Sequence, residues 1–255
     1  MVVISRRLYR QSDVGSPTGD FHPISSCPCR AYQSLPADAA CGGAAEGGVR
    51  IFGEVMKYIN KMKQIEITDI LKFSSSLEAE NPEYTYHKSY RYFVQYFADK
   101  SELTEQELMI GANLTYGWMP TIMNFKANNF EGALNILNKA KLAERISTDE
   151  LLALKSLINN SLVGVSKLLH FVNPDVYAIW DSRVCHFLLG KSYKYIIEKP
   201  DLYWEYLNLC ERVSKDLAFQ PIHNSFENSV RYKVSALRVV EQLMFMNSHT
   251  TIVKF

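Results

Sequence analysis

Two residues in the segment 161–190 have the types and the spacing that chemistry requires. Lys167 follows a glycine-containing stretch, residues 162–166, and Asp181 lies 14 residues further on, just before a helical pattern over 182–189. A carboxylate can stabilise a developing positive charge or activate water, and a desolvated amine can act as a nucleophile. A helix N-terminus also stabilises the negative charge of an aspartate. The sequence therefore predicts Asp181 and Lys167 as candidate catalytic residues.

The stretch before Lys167 reads Leu-Val-Gly-Val-Ser, and we interpret it as a short turn that leads into a helix. Gly164 in such a turn lets the backbone approach a ligand, and N–H groups at the start of the next helix suit a phosphate. We therefore expect Gly164 and Ser166 to contact substrate, with Lys167 on the first turn of that helix. The simpler alternatives are that Gly164 only forms the turn and that Lys167 is solvated or contacts a phosphate.

Aromatic side chains on either side of Lys167 are candidates for stacking on a planar group. Tyr116 and Trp118 lie beside a glycine and a proline at the expected end of a helix, and Tyr177 and Trp180 precede Asp181. Large aromatic side chains are costly when fully exposed, so the first two are expected to line a pocket or to wedge into a ligand. The alternative for all four is an ordinary place in the hydrophobic core.

Asp181 also has a purely structural interpretation, because an aspartate before a helix commonly caps it and contributes about 1 kcal/mol. Capping and catalysis by this residue are compatible. Arg183 could pair with Asp181, reach a phosphate or remain solvated. His170, between Leu169 and Phe171, is expected to be a core histidine that is bonded to the backbone.

These candidates must be positioned by helices, because apolar residues recur at helical spacing from residue 51 onward. Capping boxes at Thr104/Glu107 and Ser147/Glu150 mark two helix starts. No stretch alternates like a strand beside a hairpin turn. The predicted helices are Ile51–Lys63, Thr68–Leu77, Glu83–Ala98, 104–118, Phe130–Leu142, 147–158, Val165–Phe171, Ser182–Leu189, Asp201–Leu217 and Ser225–Met246. The predicted fold class is therefore all-α, with helices packed around one or two cores.

The segment resembles the helix-hairpin-helix DNA glycosylases, the endonuclease-III-like superfamily. Their hairpin typically reads Leu-Pro-Gly-Val-Gly followed closely by Lys, and residues 162–167 here read Leu-Val-Gly-Val-Ser-Lys. Their catalytic aspartate begins a helix in a Val-Asp-Thr-His-Val-like segment, and residues 180–184 here read Trp-Asp-Ser-Arg-Val, with Gly190 at a similar distance. This chain departs from the family pattern in Val163, in Ser166 and in a shorter spacing between the lysine and the aspartate.

The resemblance implies a multi-helix globular body that binds DNA and excises a damaged or modified base by cleaving its N-glycosidic bond. It implies that Asp181 supports the sugar cation and that Lys167 can form a Schiff base, which adds strand cleavage. The aromatic candidates named above would stack on the flipped base. Such base excision serves DNA repair or antiviral defence. The four-cysteine cluster that many members carry is absent, which implies no iron–sulfur centre, and no other cofactor is expected.

Composition limits the function further. The chain has 255 residues, 28 Lys+Arg against 27 Asp+Glu and a net charge of +1, so it does not coat nucleic acid by charge alone. No apolar run approaches the roughly 20 residues of a membrane span, and no signal peptide is recognisable. We therefore expect a cytoplasmic protein with no membrane partner. Cys185 and Cys210 are expected to be buried, and no metal cluster is expected.

The first 50 residues differ from the rest of the chain. They contain no Lys and no Asn, and their prolines and glycines leave no periodic pattern. We interpret residues 1–50 as a disordered or poorly packed leader. Residues 51–255 are expected to form one all-helical domain, or two lobes over 51–145 and 146–255.

The competing interpretation is a non-enzymatic all-helical module that binds protein or nucleic acid. Its contact surface would be the aromatic stretch 84–97, which also carries Lys88 and Arg91, or the aromatic segment 114–121. Geometry distinguishes the two, because a glycosylase needs Asp181 to open into a cleft with aromatic walls and a basic rim. Exposure of Asp181 on a flat surface favours the module.

Overall fold

The structure, a computed structural model, describes residues 53–78, 85–118 and 130–252. The expected leader over residues 1–50 lies outside the described residues. Within the described ranges every regular element is a helix and no strand forms. The predicted all-α fold class is therefore confirmed.

The helices follow one another along the chain within each described range. In chain order they are α1 (53–63), α2 (Ile67–Leu71), α3 (Ser75–Glu78), α4 (Thr85–Ala98), α5 (Glu105–Trp118), α6 (Phe130–Lys141), α7 (Thr148–Leu157), α8 (Leu162–Val172), α9 (Ser182–Leu189), α10 (Lys194–Ile197), α11 (Pro200–Ser214), α12 (Gln220–Val230) and α13 (Ala236–Met246). A 3-10 turn, Leu217–Phe219, joins α11 to α12. None of the described helices is long and apolar enough to cross a membrane.

Helix ends follow local signals in the sequence. The predicted capping box is present at α7, where Ser147 Oγ accepts from the Glu150 N–H at 3.2 Å and the Glu150 carboxylate accepts from the Ser147 N–H at 2.6 Å. Helix α9 spans its predicted range and ends at Gly190, whose φ of 67° favours glycine. Short-range capping chemistry therefore accounts for several of these boundaries.

Two predicted helices are each broken in two. The predicted helix Ser225–Met246 is wrong, because Arg231 adopts a left-handed φ of 63° and Ser235 caps a new helix by accepting from the Arg238 N–H. The predicted helix Thr68–Leu77 divides into α2 and α3 at a turn over 72–74. The break before Ser235 places a short loop beside α4, where it forms one wall of a cleft.

Helices α8 and α13 form the interior. Helices α4, α5, α6 and α7 pack on α8, and nine of its eleven residues are buried, which leaves only Val163 and Lys167 partly exposed. Helix α13 packs on α2, α3, α9, α11 and α12, and it carries the charged Arg238 and Glu241 into the interior. A helix buried on all sides is usually apolar, so these charges need a physical explanation.

Helices from both halves of the chain interleave. Helices α2 and α3 pack on α13, whereas α4, α5 and α6 pack on α8. Arg212 on α11 donates to the Met62 carbonyl at 3.2 Å, across 150 residues of sequence. The described residues accordingly belong to one compact unit.

Both cysteines in the described ranges have free thiols. Cys185 and Cys210 are fully buried, which confirms the expectation that they act as small buried hydrophobes.

Candidate active site

Asp181 is the N-cap residue of α9. Its Oδ1 accepts hydrogen bonds from the N–H groups of Arg183 at 3.0 Å and Val184 at 3.1 Å. The predicted capping role is therefore confirmed. Capping uses one carboxylate oxygen, so it remains compatible with a second role for the other oxygen. The residue is 9% exposed, so it does not project from a flat surface. It lines neither of the clefts found among the described residues, so its expected opening into a cleft has no support here.

Lys167 lies on the second turn of α8, one turn later than predicted. Burial lowers the pKa of its ammonium group, and the nearby carboxylates of Asp181 and Glu241 only partly oppose that shift. Arg238 lowers the same pKa further by repulsion between like charges. A lysine in this environment holds its proton less tightly than one in water, as a nucleophilic amine requires. The fold thus brings Lys167 within electrostatic reach of Asp181.

Arg238 and Glu241, one turn apart on α13, form a buried ion pair. Glu241 is 1% exposed, and it also accepts a hydrogen bond from Gln242 Nε2 at 3.2 Å. Burial raises the pKa of Glu241, Arg238 opposes the rise, and Asp181 adds to it. We call the two cations and two carboxylates that influence one another here the four-charge cluster: Lys167, Asp181, Arg238 and Glu241.

The four-charge cluster is electrically balanced, which makes its burial tolerable. A single buried charge without a partner costs several kcal/mol, by an order-of-magnitude estimate. Two positive and two negative groups compensate one another, and the hydrogen bond from Gln242 satisfies part of the Glu241 carboxylate. Clusters in which burial and neighbouring charges shift several pKa values are typical of functional sites.

Aromatic rings enclose the cations of the four-charge cluster. The ring centre of Trp118 lies 5.7 Å from Lys167 Nζ and 5.6 Å from Arg238 Cζ. Tyr90 on α4 covers the same guanidinium, with its ring centre 4.7 Å from Arg238 Cζ. Such cation–π contacts stabilise partly desolvated cations. The fold therefore brings Trp118, a predicted pocket residue, beside Lys167, one of the two predicted catalytic residues.

His170 holds Tyr90 in place. Its Nδ1–H donates to the Tyr177 carbonyl at 2.6 Å, because a carbonyl can only accept, and its Nε2 accepts from Tyr90 Oη at 2.8 Å. Burial and repulsion by Arg238 lower the pKa of His170 to about 3. The ring is therefore neutral near pH 7, which confirms the expected core histidine bonded to the backbone.

The interpretation of residues 162–166 as a turn is wrong, because α8 already begins at Leu162. Its first N–H groups are used within the protein: the Leu162 N–H donates to Glu198 Oε2 at 2.8 Å, and the Gly164 N–H donates to Ser161 Oγ at 3.2 Å. A Cβ on Gly164 would overlap Tyr116, whose Cζ would lie 2.9 Å away. Gly164 therefore makes room for a buried tyrosine, and the expected contact of either residue with a ligand has no support here.

Ser166 is fully buried, so the predicted contact with substrate has no support either. Its hydroxyl accepts from the Trp180 N–H at 3.1 Å and lies 3.0 Å from the Trp180 carbonyl, to which it can donate. These bonds join the residue before Lys167 to the residue before Asp181. Ser166 is therefore a positioning residue, since it fixes the two backbones where the candidate pair lies.

Tyr177 and Trp180 are core residues. Tyr177 Oη donates to the Glu144 carbonyl at 2.8 Å, and Trp180 Nε1–H donates to the Ile197 carbonyl at 2.8 Å. Both residues are fully buried. The predicted stacking on a base has no support for these two rings, because neither presents an open face in this structure.

Arg183 lies at the edge of the site. Its side chain is exposed, and its guanidinium lies 4.6 Å from the ring centre of Phe245. This position, two residues after Asp181, suits a contact with a phosphate, which stays a prediction.

Sequence reasoning missed Arg238 and Glu241. The signal was present, because residues 236–246 read as an apolar helix interrupted by Arg, Glu and Gln at adjacent turns. Charges on the apolar face of a helix indicate a buried polar network. In the described ranges, no group of His, Cys, Asp and Glu side chains is arranged to hold a metal ion.

Comparison of the chain with protein-family models, with curated proteins and with solved structures found no match.

Proposed function

We propose that this protein is a DNA glycosylase that excises a damaged or modified base by cleaving its N-glycosidic bond. The observation that carries the proposal is the four-charge cluster, in which Lys167 Nζ lies 5.7 Å from the ring centre of Trp118 and is under the electrostatic influence of Asp181. Cleavage of this bond passes through a cation-like sugar, so a carboxylate held in a site of low dielectric is the group that the reaction needs.

Asp181 is the carboxylate that stabilises the sugar cation. Its capping bonds fix the orientation of the group, and the N-terminus of α9 favours its negative charge. A preorganised group loses little free energy to reorganisation when the cation forms, which is the main advantage of electrostatic catalysis.

Lys167 is the candidate nucleophile of the same reaction. Its free amine attacks C1′ of the sugar and the bond to the base breaks; the proton that the attacking nitrogen then loses balances the one that the leaving base takes up. Opening of the sugar ring then gives a Schiff base, from which elimination cleaves the strand. The lowered pKa of Lys167 supports this role, because it increases the fraction of free amine near neutral pH. DNA repair and antiviral defence both use such an activity.

The test is base release by Asp181→Asn. Asn caps a helix about as well as Asp, so the variant keeps α9 while it loses the carboxylate charge. We expect release of the base from a panel of modified-base oligonucleotides, measured as alkali-labile abasic sites, to fall by about 100-fold or more. The melting temperature should change little. Full release by the variant would refute the role of Asp181.

The matched control is Asp216→Asn. Asp216 also caps a helix start, with Oδ1 accepting from the Ala218 N–H at 2.8 Å, but it does not belong to the four-charge cluster. This variant should release the base at the wild-type rate.

Borohydride trapping on abasic-site DNA tests Lys167 separately: an adduct that disappears in Lys167→Gln supports the amine as nucleophile. No adduct with the wild type leaves a monofunctional enzyme.

A further inference from the structure

A cleft of about 490 Å³ lies on the outer side of α4. Its walls are α4, the turn after α8 and the loop over 231–235 that separates α12 from α13. The volume falls in the range of roughly 300–1,000 Å³ that is typical of ligand sites. Neither Asp181 nor Lys167 lines it, so it is a separate feature of the surface.

The rim of the cleft carries an exposed aromatic ring and two cations. Tyr92 is 60% exposed although the Arg91 guanidinium lies 4.6 Å from its ring centre. Lys233 on the opposite wall pairs with Glu227 at 2.7 Å, yet its side chain is 94% exposed. Deeper in the cleft, the rings of Tyr232 and Tyr90 lie 6.3 Å apart. Aromatic rings beside exposed cations match a ligand that has flat rings and negative charges.

An unpaired stretch of a nucleic acid strand has this chemistry. Bases that are not paired present flat faces to aromatic side chains, and the phosphates between them pair with Arg and Lys. In a duplex the same faces are stacked inside the helix, so a tyrosine on a rim cannot reach them. An apolar peptide segment would offer no negative charge to Arg91 and Lys233, which are exposed on the rim.

The cleft also lies next to the four-charge cluster. Tyr90 forms its inner wall, and the same side chain covers Arg238 and donates to His170. A strand that occupies the cleft is therefore separated from the four-charge cluster by one side chain.

We propose that this cleft binds an unpaired segment of a DNA strand, with a base stacked on Tyr92 and phosphates paired with Arg91 and Lys233. The identity of the strand as DNA rests on the proposed function. The binding itself does not require the chemistry of the four-charge cluster, so the two can be tested apart.

The experiment is fluorescence anisotropy of the full-length protein with a short labelled oligothymidylate. We expect Tyr92→Ala to weaken binding by about 5- to 100-fold, because the loss of one stacked ring has an effect of this size. Tyr92→Phe keeps the ring and should bind within about threefold of the wild type. Lys233→Gln should weaken binding and reduce its dependence on salt concentration.

The matched control is Tyr193→Ala. Tyr193 is 56% exposed and is stacked on Tyr195 with ring centres 5.7 Å apart, but it does not line the cleft. This variant should bind as the wild type does. Equal losses in Tyr92→Ala and Tyr193→Ala, or no binding of the single strand by the wild type, would overturn the proposal.

Competition identifies the occupant. Unlabelled duplex and thymidine monophosphate should both displace the oligothymidylate poorly, and efficient displacement by either overturns an unpaired strand as the ligand. If base release requires Asp181 but strand binding is unchanged in Tyr92→Ala, the proposed role of the cleft is refuted and the proposed function stands. If strand binding is weakened in Tyr92→Ala but the wild type releases no base, the glycosylase proposal is refuted and the proposed role of the cleft stands.

Discussion

Burial and neighbouring groups set the protonation states of several side chains in the interior of this protein. His170 is the clearest case, because both ring nitrogens have partners and the pKa falls to about 3. Burial likewise lowers the pKa of Lys167 and raises the pKa of Glu241, so both groups are biased towards their neutral forms. The pH dependence of stability therefore reports on the site.

We expect His170 to make the protein sensitive to acid. The unfolded chain binds a proton below pH 6.5, whereas the folded chain does so only near pH 3, so stability falls as the pH drops through this window. By pH 5 the loss from this residue is about 2 kcal/mol. Urea unfolding of the wild type and of His170→Gln at pH 7.5 and pH 5 measures it.

His170→Gln is a suitable reference because an amide offers one donor and one acceptor without titrating. The raised pKa of Glu241 acts in the opposite direction, since its proton stabilises the folded state as the pH falls. Glu241 is present in both proteins, so the comparison isolates the histidine. Equal losses of stability in the two proteins on acidification would contradict the pKa given for His170.

At the scale of elements, the packing of α5 on α8 depends on the absence of a side chain. Gly164 lies on α8 directly under the ring of Tyr116, which belongs to α5. Glycine inside a helix is otherwise unfavourable by about 0.5–1 kcal/mol relative to alanine. The close approach of the two helices offsets that cost.

Gly164→Ala should destabilise the protein by about 1–3 kcal/mol, because the added methyl group overlaps the tyrosine. The double variant with Tyr116→Phe should recover part of the loss, since removal of the hydroxyl relieves the overlap. Denaturant unfolding of the full double-mutant cycle gives the coupling.

Gly117→Ala is the control for that cycle. Gly117 lies on an exposed face of α5, where an added Cβ meets no atom within 4 Å. This variant should be neutral or more stable by up to about 1 kcal/mol. A stable Gly164→Ala, or the absence of coupling with Tyr116, would show that the two helices do not pack as described.

At the scale of the whole molecule, contacts between distant parts of the sequence close the structure. Asn247, after α13, donates through Nδ2 to Ser76 Oγ on α3 at 2.8 Å, across 171 residues. Interior helices α8 and α13 each pack on elements from both halves of the chain. Such interleaving favours cooperative unfolding of the packed helices.

We expect urea to unfold the packed helices in one transition. Tryptophan fluorescence reports on Trp118, Trp180 and Trp204, and circular dichroism reports on the helices, so the two midpoints should coincide. Asn247→Ala should lower both midpoints together, by about 1–3 kcal/mol in stability. Separate transitions would instead support the two lobes over 51–145 and 146–255.

How far the sequence predicts the site differs from residue to residue. The cap at Asp181 and the box at Ser147 follow from a few adjacent residues, so both were predictable. The role of Gly164 was not predictable, because this glycine is needed to make room for the ring of Tyr116, which lies 48 residues away in the sequence. The break at Arg231 was also missed, since apolar residues on both sides continue the helical spacing.

The amino-acid sequence by itself determined the fold class, most helix boundaries and the candidate pair Lys167 and Asp181, because short-range periodicity and capping act over one or two turns. Only the tertiary structure decided which charges are buried together. Arg238 and Glu241 join the pair, while Ser166, Tyr177 and Trp180 become supports in the interior. The reason is that burial, and with it the strength of every charge interaction, depends on how distant helices pack.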